Sequence, residues 1–139
     1  MGAMIAAELL RRGCTVRVFD DCRARSKSAC KILRQLIGRT SAQTQHVYAQ
    51  LNRFSVATDL EHLLSDGFTF VIEAITEDLA AKQVLFHRIA LILKRKNVPP
   101  CEVLLCSNTI SVPLHLIAAV RVKPVLMLKI GTLHTHMRV

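Results

Sequence analysis

Tryptophan is absent from this chain, tyrosine occurs once, and aromatic residues make up 4% of the sequence. Base-stacking platforms for single-stranded nucleic acid are therefore scarce. No Cys-x-x-C pair occurs, and the five cysteines (Cys14, Cys22, Cys30, Cys101 and Cys106) are an odd number. That fits free thiols in a reducing compartment better than a disulfide framework. No apolar run reaches the ~18 residues that a membrane span requires. Acidic residues end at Glu102. No internal repeat or low-complexity tract is present either.

What is there is globular. The chain has 139 residues, 51% of them hydrophobic and 21% charged, enough for one domain with a core. The net charge is +9, and the basic residues are dispersed along the chain. Such a balance suits phosphate-rich ligands, nucleic acid or an acidic partner, and equally a solvated basic surface. With the charge dispersed and aromatics few, neither nucleic-acid nor membrane binding is expected. Residues 1–20 carry Arg11, Arg12 and Arg17, as a leader would, but Glu8 and the strand-like VRVF argue for a folded element. Ala6 departs from the myristoylation pattern that a Met-Gly start invites. Without an address signal, the cytoplasm is the default compartment.

Helical and extended patterns alternate. Residues 3–12 are rich in Ala, Leu and Arg and predict a helix that Gly13 stops. Residues 15–19 alternate and are β-branched, which predicts a strand. Residues 26–37 predict a helix with Leu33, Leu36 and Ile37 on one face, and residues 41–51 a further helical stretch. A short strand at 54–58 precedes a brief helix at 60–64, with Asp59 as its cap. Residues 70–75, FVIEAI, form a buried strand that is apolar apart from Glu73. A helix over 78–93 places Leu79, Lys82, Phe86, Ile89 and Leu93 on one stripe, with Lys82 the odd polar member. Pro99 and Pro100 sit in a loop. A strand at 102–106 follows, then a helix that Pro113 opens and that runs through residue 120. The last strand candidate is 125–130.

This alternation implies a doubly wound α/β fold with a mainly parallel sheet. Ligands in such sheets bind beyond the carboxyl ends of the strands. Three polar sets lie there: Asp20, Thr76 with Glu77, and Ser107-Asn108-Thr109. They are either loop and capping residues or the lining of a site. An acidic residue ending a strand can accept hydrogen bonds from an adenosine ribose. Asp21 beside it would repel a 2′-phosphate, although Arg23 and Arg25 are close. Gly2, just before a helix, lets the backbone approach a phosphate or pack on the sheet, but a single glycine is not a G-x-G-x-x-G.

Together these pieces resemble the NAD-binding domain of 3-hydroxyacyl-CoA dehydrogenases and the related lambda-crystallins. MGAMIAAELLRRGCTVRVFD matches the family's M-G-x-x-I-A followed by a glycine, a strand and an Asp. VIEAITEDLAAKQVLF, residues 71–86, is close to its V-x-E-A-x-x-E-x-L-x-x-K-x-x-L-F. SNT at 107–109 is the third motif. The resemblance covers roughly residues 1–125. It implies a Rossmann-type fold, NAD as cofactor, and hydride transfer to or from the 3-hydroxyl of an acyl-CoA, as in fatty acid metabolism, or of a sugar acid. By position, Gly2 would pack against the pyrophosphate turn and Asp20 would hold the adenosine ribose. Glu77 and Lys82 would contact the cofactor near its nicotinamide half, and Asn108 would lie beside nicotinamide and substrate. Read from spacing alone, Glu77 and Lys82 are an i,i+5 surface pair.

The departures from the family matter as much. The sequence starts at the motif's third glycine, so the expectation is a sheet truncated at the N-terminus, without its central first strand and open at the pyrophosphate. Residues 1–125 read as an incomplete NAD-binding domain and 126–139 as a divergent tail. The family's all-helical domain, which closes the substrate cleft and makes the dimer, is not recognisable, and no oligomer is expected without it. The family's serine after S-N-T is replaced by Ile110, with Ser111 as a candidate substitute. Lys129 falls near the position of the catalytic His, and no acid follows Glu102 to complete a His–Glu pair. His134 and His136 are too few for a metal site. No catalytic residue is assigned. The chain is expected to be inactive alone; the alternative is a non-catalytic truncated or spliced product that binds a partner.

Overall fold

A computed structural model describes residues 1–38, 44–65, 67–99, 101–119 and 127–129. The chain divides into two compact units, Met1–Ser65 and Asp66–Val139.

In the first unit, helix α1 (Gly2–Arg11) buries Ala6, Ala7 and Leu10 on one face. On its outer face the Glu8 carboxylate accepts from Arg11 at 2.9 Å and Arg12 at 2.8 Å. Its C-terminus is closed by Gly13, whose φ is +87°. The Gly13 N–H donates to Leu10 O at 3.1 Å and the Cys14 N–H to Leu9 O at 3.0 Å. These are the paired bonds of a Schellman closure, which needs a left-handed residue at this position. Strand β1 (Val16–Val18) follows, then α2 (Arg23–Gly38), α3 (Thr44–Leu51), β2 (Phe54–Val56) and α4 (Leu60–Leu63). β1 and β2 pair in parallel, Val16 opposite Phe54 and Val18 opposite Val56. Leu33 and Ile37 of α2 join Ala6, Ala7, Leu10 and Val16 in one buried cluster, with Val47, Leu51 and Phe54 packed against it. Asp59 caps α4 as expected, its Oδ1 accepting from the His62 N–H at 2.7 Å.

The second unit comprises β3 (Phe70–Glu73), α5 (Leu79–Arg95), β4 (Leu104–Ser107), α6 (Leu114–Ala118) and β5 (Met127–Lys129). The three strands are parallel with β4 in the middle. Leu105, Cys106 and Ser107 of β4 are buried, and burial pushes the Cys106 thiol up. Asp78 caps α5 through a 2.7 Å bond from the Ala81 N–H. The helix closes in a second Schellman pair around Asn97 (φ 54°), from Asn97 N–H to Lys94 O and from Val98 N–H to Leu93 O. Asn tolerates the left-handed region because its side chain can bond locally. Gln83 Nε2 donates to Leu116 O at 2.8 Å and ties α5 to α6.

The fold is the expected α/β with parallel strands. The ladder orders, β1-β2 and β3-β4-β5, match the 2-3 and 4-5-6 segments of the 3-2-1-4-5-6 order. Several boundaries differ. β3 ends at Glu73 rather than residue 75, because the Glu73 carboxylate takes the Ile75 N–H at 2.7 Å and turns the chain. β4 begins two residues later than expected and runs on to Ser107. α2 starts three residues early, where Asp20 gathers the Cys22 N–H at 2.8 Å and, through its carbonyl, the Ser26 hydroxyl. The helix expected through residue 120 ends at Ala118, with Ala119 as its C-cap; the start of the 41–51 helix, and His134 and His136, lie outside the described residues. Among the described residues no helix is long and apolar enough to cross a membrane.

A Cβ built at Gly13 meets no atom within 4 Å, so substitution there is opposed by backbone conformation alone. Gly13→Ala is expected to cost about 1 kcal/mol, read as a lower urea midpoint at unchanged denaturant slope.

Candidate functional site

The carboxyl ends of β3 and β4 meet around a buried ion pair. Glu73 and Lys82 are the polar exceptions in two otherwise apolar patterns, nine residues apart. The strand directs Glu73 inward and the first turn of α5 directs Lys82 onto it. Lys82 Nζ lies 2.8 Å from Glu73 Oε1 and 2.9 Å from Oε2, with both side chains essentially inaccessible (1% and 0%). The Ser107 hydroxyl donates to Glu73 Oε2 at 2.6 Å and the Ile75 N–H to Oε1 at 2.7 Å. A buried charge is tolerated when it is paired and its remaining lone pairs are satisfied, and this one meets both conditions.

Glu77 stands one step further out. Its Oε2 is 3.4 Å from Lys82 Nζ. Its Oε1 accepts from the Thr109 hydroxyl at 2.6 Å, the Ile110 N–H at 2.7 Å, the Ser111 N–H at 2.8 Å and the Val112 N–H at 3.3 Å. The Thr109 hydroxyl, then these backbone amides, hold the Glu77 carboxyl far below the usual carboxylate range. The turn after β4 is thus wrapped around one carboxylate oxygen. The reading of Glu77 and Lys82 as a surface pair is corrected: they do pair, but Lys82 is fully buried, because Glu73 draws its ammonium inward. Lys82 has three N–H donors and three carboxylate oxygens within 3.4 Å.

Asn108 is half-buried between Ser107 and Thr109, both fully buried. Its N–H continues the ladder to Glu73 O at 2.9 Å, while its carboxamide has no partner among the described residues. Ser111 does not take over from Ile110 as an open hydroxyl: its Oγ sits 3.2 Å from Glu77 Oε1. Ile110 is 67% exposed. Lys129 is in register with Ser107 on β5.

In the first unit, Gly2 is exposed at the first position of α1, whose N-terminus has no side-chain cap and no acid in its first turn. Asp20 follows β1 with its side chain 38% exposed. Its Oδ1 accepts from the Cys22 N–H and from Arg25 Nε, and its Oδ2 from Arg25 Nε, the latter two at 2.9 Å. Burial pushes the Asp20 carboxyl up, but the Cys22 N–H and the Arg25 guanidinium outweigh it and leave it lowered. No group of three or more metal-ligating side chains occurs among the described residues.

A family model described as the NAD-binding domain of 3-hydroxyacyl-CoA dehydrogenase matches residues 1–132. This chain belongs to that family. A probable 3-hydroxybutyryl-CoA dehydrogenase of Bacillus subtilis is 31% identical over 128 residues, covering 89% of this chain and 42% of that protein. Among solved structures, FadB2 of M. tuberculosis superposes with a TM-score of 0.77 at 28% identity, over 93% of this chain and 44% of its own. The 3-hydroxybutyryl-CoA dehydrogenase of Escherichia coli K12 gives 0.70 at 28% identity, over 86% and 24%. The chain spans less than half of each.

The cofactor of this domain is NAD, and the residues can be tested against it. The Asp20 side chain is 38% exposed and its Oδ2 carries one bond, so it has acceptor capacity for a ribose hydroxyl. The unpartnered Asn108 carboxamide offers a donor and an acceptor at the carboxyl edge of the sheet. The Glu77 side chain is partly exposed, and its Oε2 carries only the 3.4 Å contact with Lys82. Within each unit taken by itself, these side chains offer the kinds of acceptor and donor that the cofactor's polar groups require. The Lys82 donors are already directed at Glu73 and Glu77. The sequence held the signal for Glu73, as the lone polar residue of its strand, but nothing in spacing joined it to Lys82.

Replacing Lys82 by Met leaves a buried carboxylate without its counterion and is expected to cost about 3–5 kcal/mol. The double variant Glu73→Gln/Lys82→Met should cost clearly less than the sum of its singles, as a denaturation double-mutant cycle would show. Glu77 predicts an acid dependence with a definite sign. Its folded pKa is depressed, so its contribution is complete above the unfolded value of about 4.3 and is lost as pH falls from there through the folded value. Glu77→Gln should remove this part of the acid limb, measured as unfolding free energy against pH.

Proposed function

We propose that this chain supplies the nucleotide-holding part of a hydride transfer between NAD and the 3-hydroxyl of an acyl-CoA. The observation that carries this reading is the pinned turn after β4, where Glu77 fixes residues 109–112 and leaves the Asn108 carboxamide free. Bound NAD accepts or gives a hydride at its nicotinamide. In this reading Asp20 accepts from the adenosine ribose, Gly2 leaves room for the pyrophosphate, and Glu77 Oε2 and Asn108 orient the nicotinamide half. Lys82 acts as the positioning group that holds Glu77 in place. The names of the Bacillus and Escherichia relatives, both 3-hydroxybutyryl-CoA dehydrogenases, support an acyl-CoA as the substrate and fatty acid metabolism as the setting.

A second reading is binding without turnover. It is favoured by Ile110, whose side chain has no hydrogen-bonding group where the family resemblance expects a serine, and by Ser111, whose hydroxyl is directed at Glu77. Hydride transfer also needs a proton donor or acceptor at the substrate oxygen, and neither residue supplies one.

NADH at a hundredfold excess over its dissociation constant should stabilise the chain by about 2.7 kcal/mol, seen as a raised thermal midpoint. Asn108→Ala should weaken that shift without lowering the midpoint of the free protein. An unchanged midpoint at millimolar NADH would remove the cofactor reading for this chain. Turnover of acetoacetyl-CoA with NADH would remove the second reading.

A further inference from the structure

The Arg25 guanidinium lies directly on the carboxylate that the cofactor reading assigns to the ribose. Arg25 Nε contacts both Asp20 oxygens at 2.9 Å, and its Nη2 reaches Asp21 Oδ1 at 3.4 Å. The Arg25 side chain is 67% exposed and that of Asp20 38%, so the pair is open to solvent. Neither partner is locked by burial.

A carboxylate offers about four lone-pair sites. Asp20 Oδ1 already receives two donors, the Cys22 N–H and Arg25, and Oδ2 receives one. One ribose hydroxyl can join at Oδ2 without disturbance. Capture of both hydroxyls by both oxygens requires Arg25 to swing away. A ribose bearing a 2′-phosphate meets the opposite balance. Asp20 and Asp21 repel it, but Arg25 is positioned to turn its fork of donors from carboxylate to phosphate, a geometry guanidinium accepts equally well. Arg23, exposed at the start of α2, adds a second positive charge nearby.

We propose that Arg25 is a specificity-determining residue of this ribose site, and that it narrows the discrimination between NAD and NADP. The inference rests on the NAD reading above. Without Arg25, two carboxylates alone would face the 2′-position and exclude a phosphate there. With it, the local charge is shared, and the same side chain that occupies Asp20 in the free protein becomes the phosphate ligand.

The test is binding rather than turnover: thermal-shift or calorimetric titration of the full chain with NAD and with NADP. The wild type should bind the two within about tenfold of each other. Arg25→Ala should lose about tenfold or more in NADP affinity while NAD affinity holds or improves. Arg25→Lys should keep part of the NADP affinity, since it keeps the charge but not the fork. Arg88→Ala, on the exposed face of α5, should leave the ratio unchanged; an equal loss there would assign the effect to the overall surface charge and overturn the proposal. If NAD binds but Arg25→Ala leaves the ratio within about threefold of wild type, the proposal fails and the NAD reading stands. If neither nucleotide shifts unfolding, the NAD reading fails and the proposal falls with it.

Discussion

The Lys82 ammonium, fully buried against Glu73, is the constraint on which the second unit depends. Burying such a pair costs several kcal/mol per ion before attraction is counted, and the surroundings are arranged to offset that cost. The Ser107 hydroxyl and the Ile75 amide complete Glu73, and the carboxylates of Glu73 and Glu77 surround Lys82. Because the pair joins the end of β3 to the first turn of α5, it fixes where the strand stops and how the helix is rotated. Rotation of α5 by one residue would carry Lys82 off the carboxylate and leave an uncompensated charge in the core.

From that pair the order propagates outward. Lys82 presents its third donor to Glu77, and Glu77 gathers the Thr109 hydroxyl and three successive amides of the turn after β4. A turn without regular structure is thereby held by one side-chain oxygen. Asn108, with buried neighbours on both sides, is carried to the edge with its carboxamide unpartnered among the described residues. A free amide on a fixed backbone is the arrangement that precise recognition of a polar ligand requires, since little ordering remains to be done at binding. In the first unit Asp20 is held differently, by the Cys22 amide and the exposed side chain of Arg25, so one of its partners can be exchanged at little cost where those of Glu77 are fixed.

Most elements were legible because their signals are local. Gly13 announces a helix stop, Asp59 announces a helix start, and the β-branched run at 15–19 announces a strand. Each rests on a few neighbouring residues and the intrinsic preferences of their backbones. The same logic failed where a side chain from elsewhere intervened. β3 stops at Glu73 although FVIEAI stays apolar to Ile75, because a carboxylate captures the amide that would have continued the ladder. The start of α2 moved to Arg23 because Asp20 gathers the Cys22 amide, a bond that apolar periodicity does not register.

The site divides along the same line. The sequence by itself determined the α/β alternation and, by strand ends and helix starts, the candidate positions Gly2, Asp20, Glu77 and Asn108; its resemblance to the family added Lys82 and the role expected of each. Only the tertiary structure decided what each is engaged with. It buried Lys82, made Glu73 its partner, turned Glu77 onto the 109–112 turn, directed the Ser111 hydroxyl to Glu77, and set Arg25 across Asp20. These outcomes depend on through-space distances of about 3 Å between groups up to 35 residues apart, and hydrogen bonds and ion pairs act over distance in space, whereas periodicity and spacing record only distance along the chain.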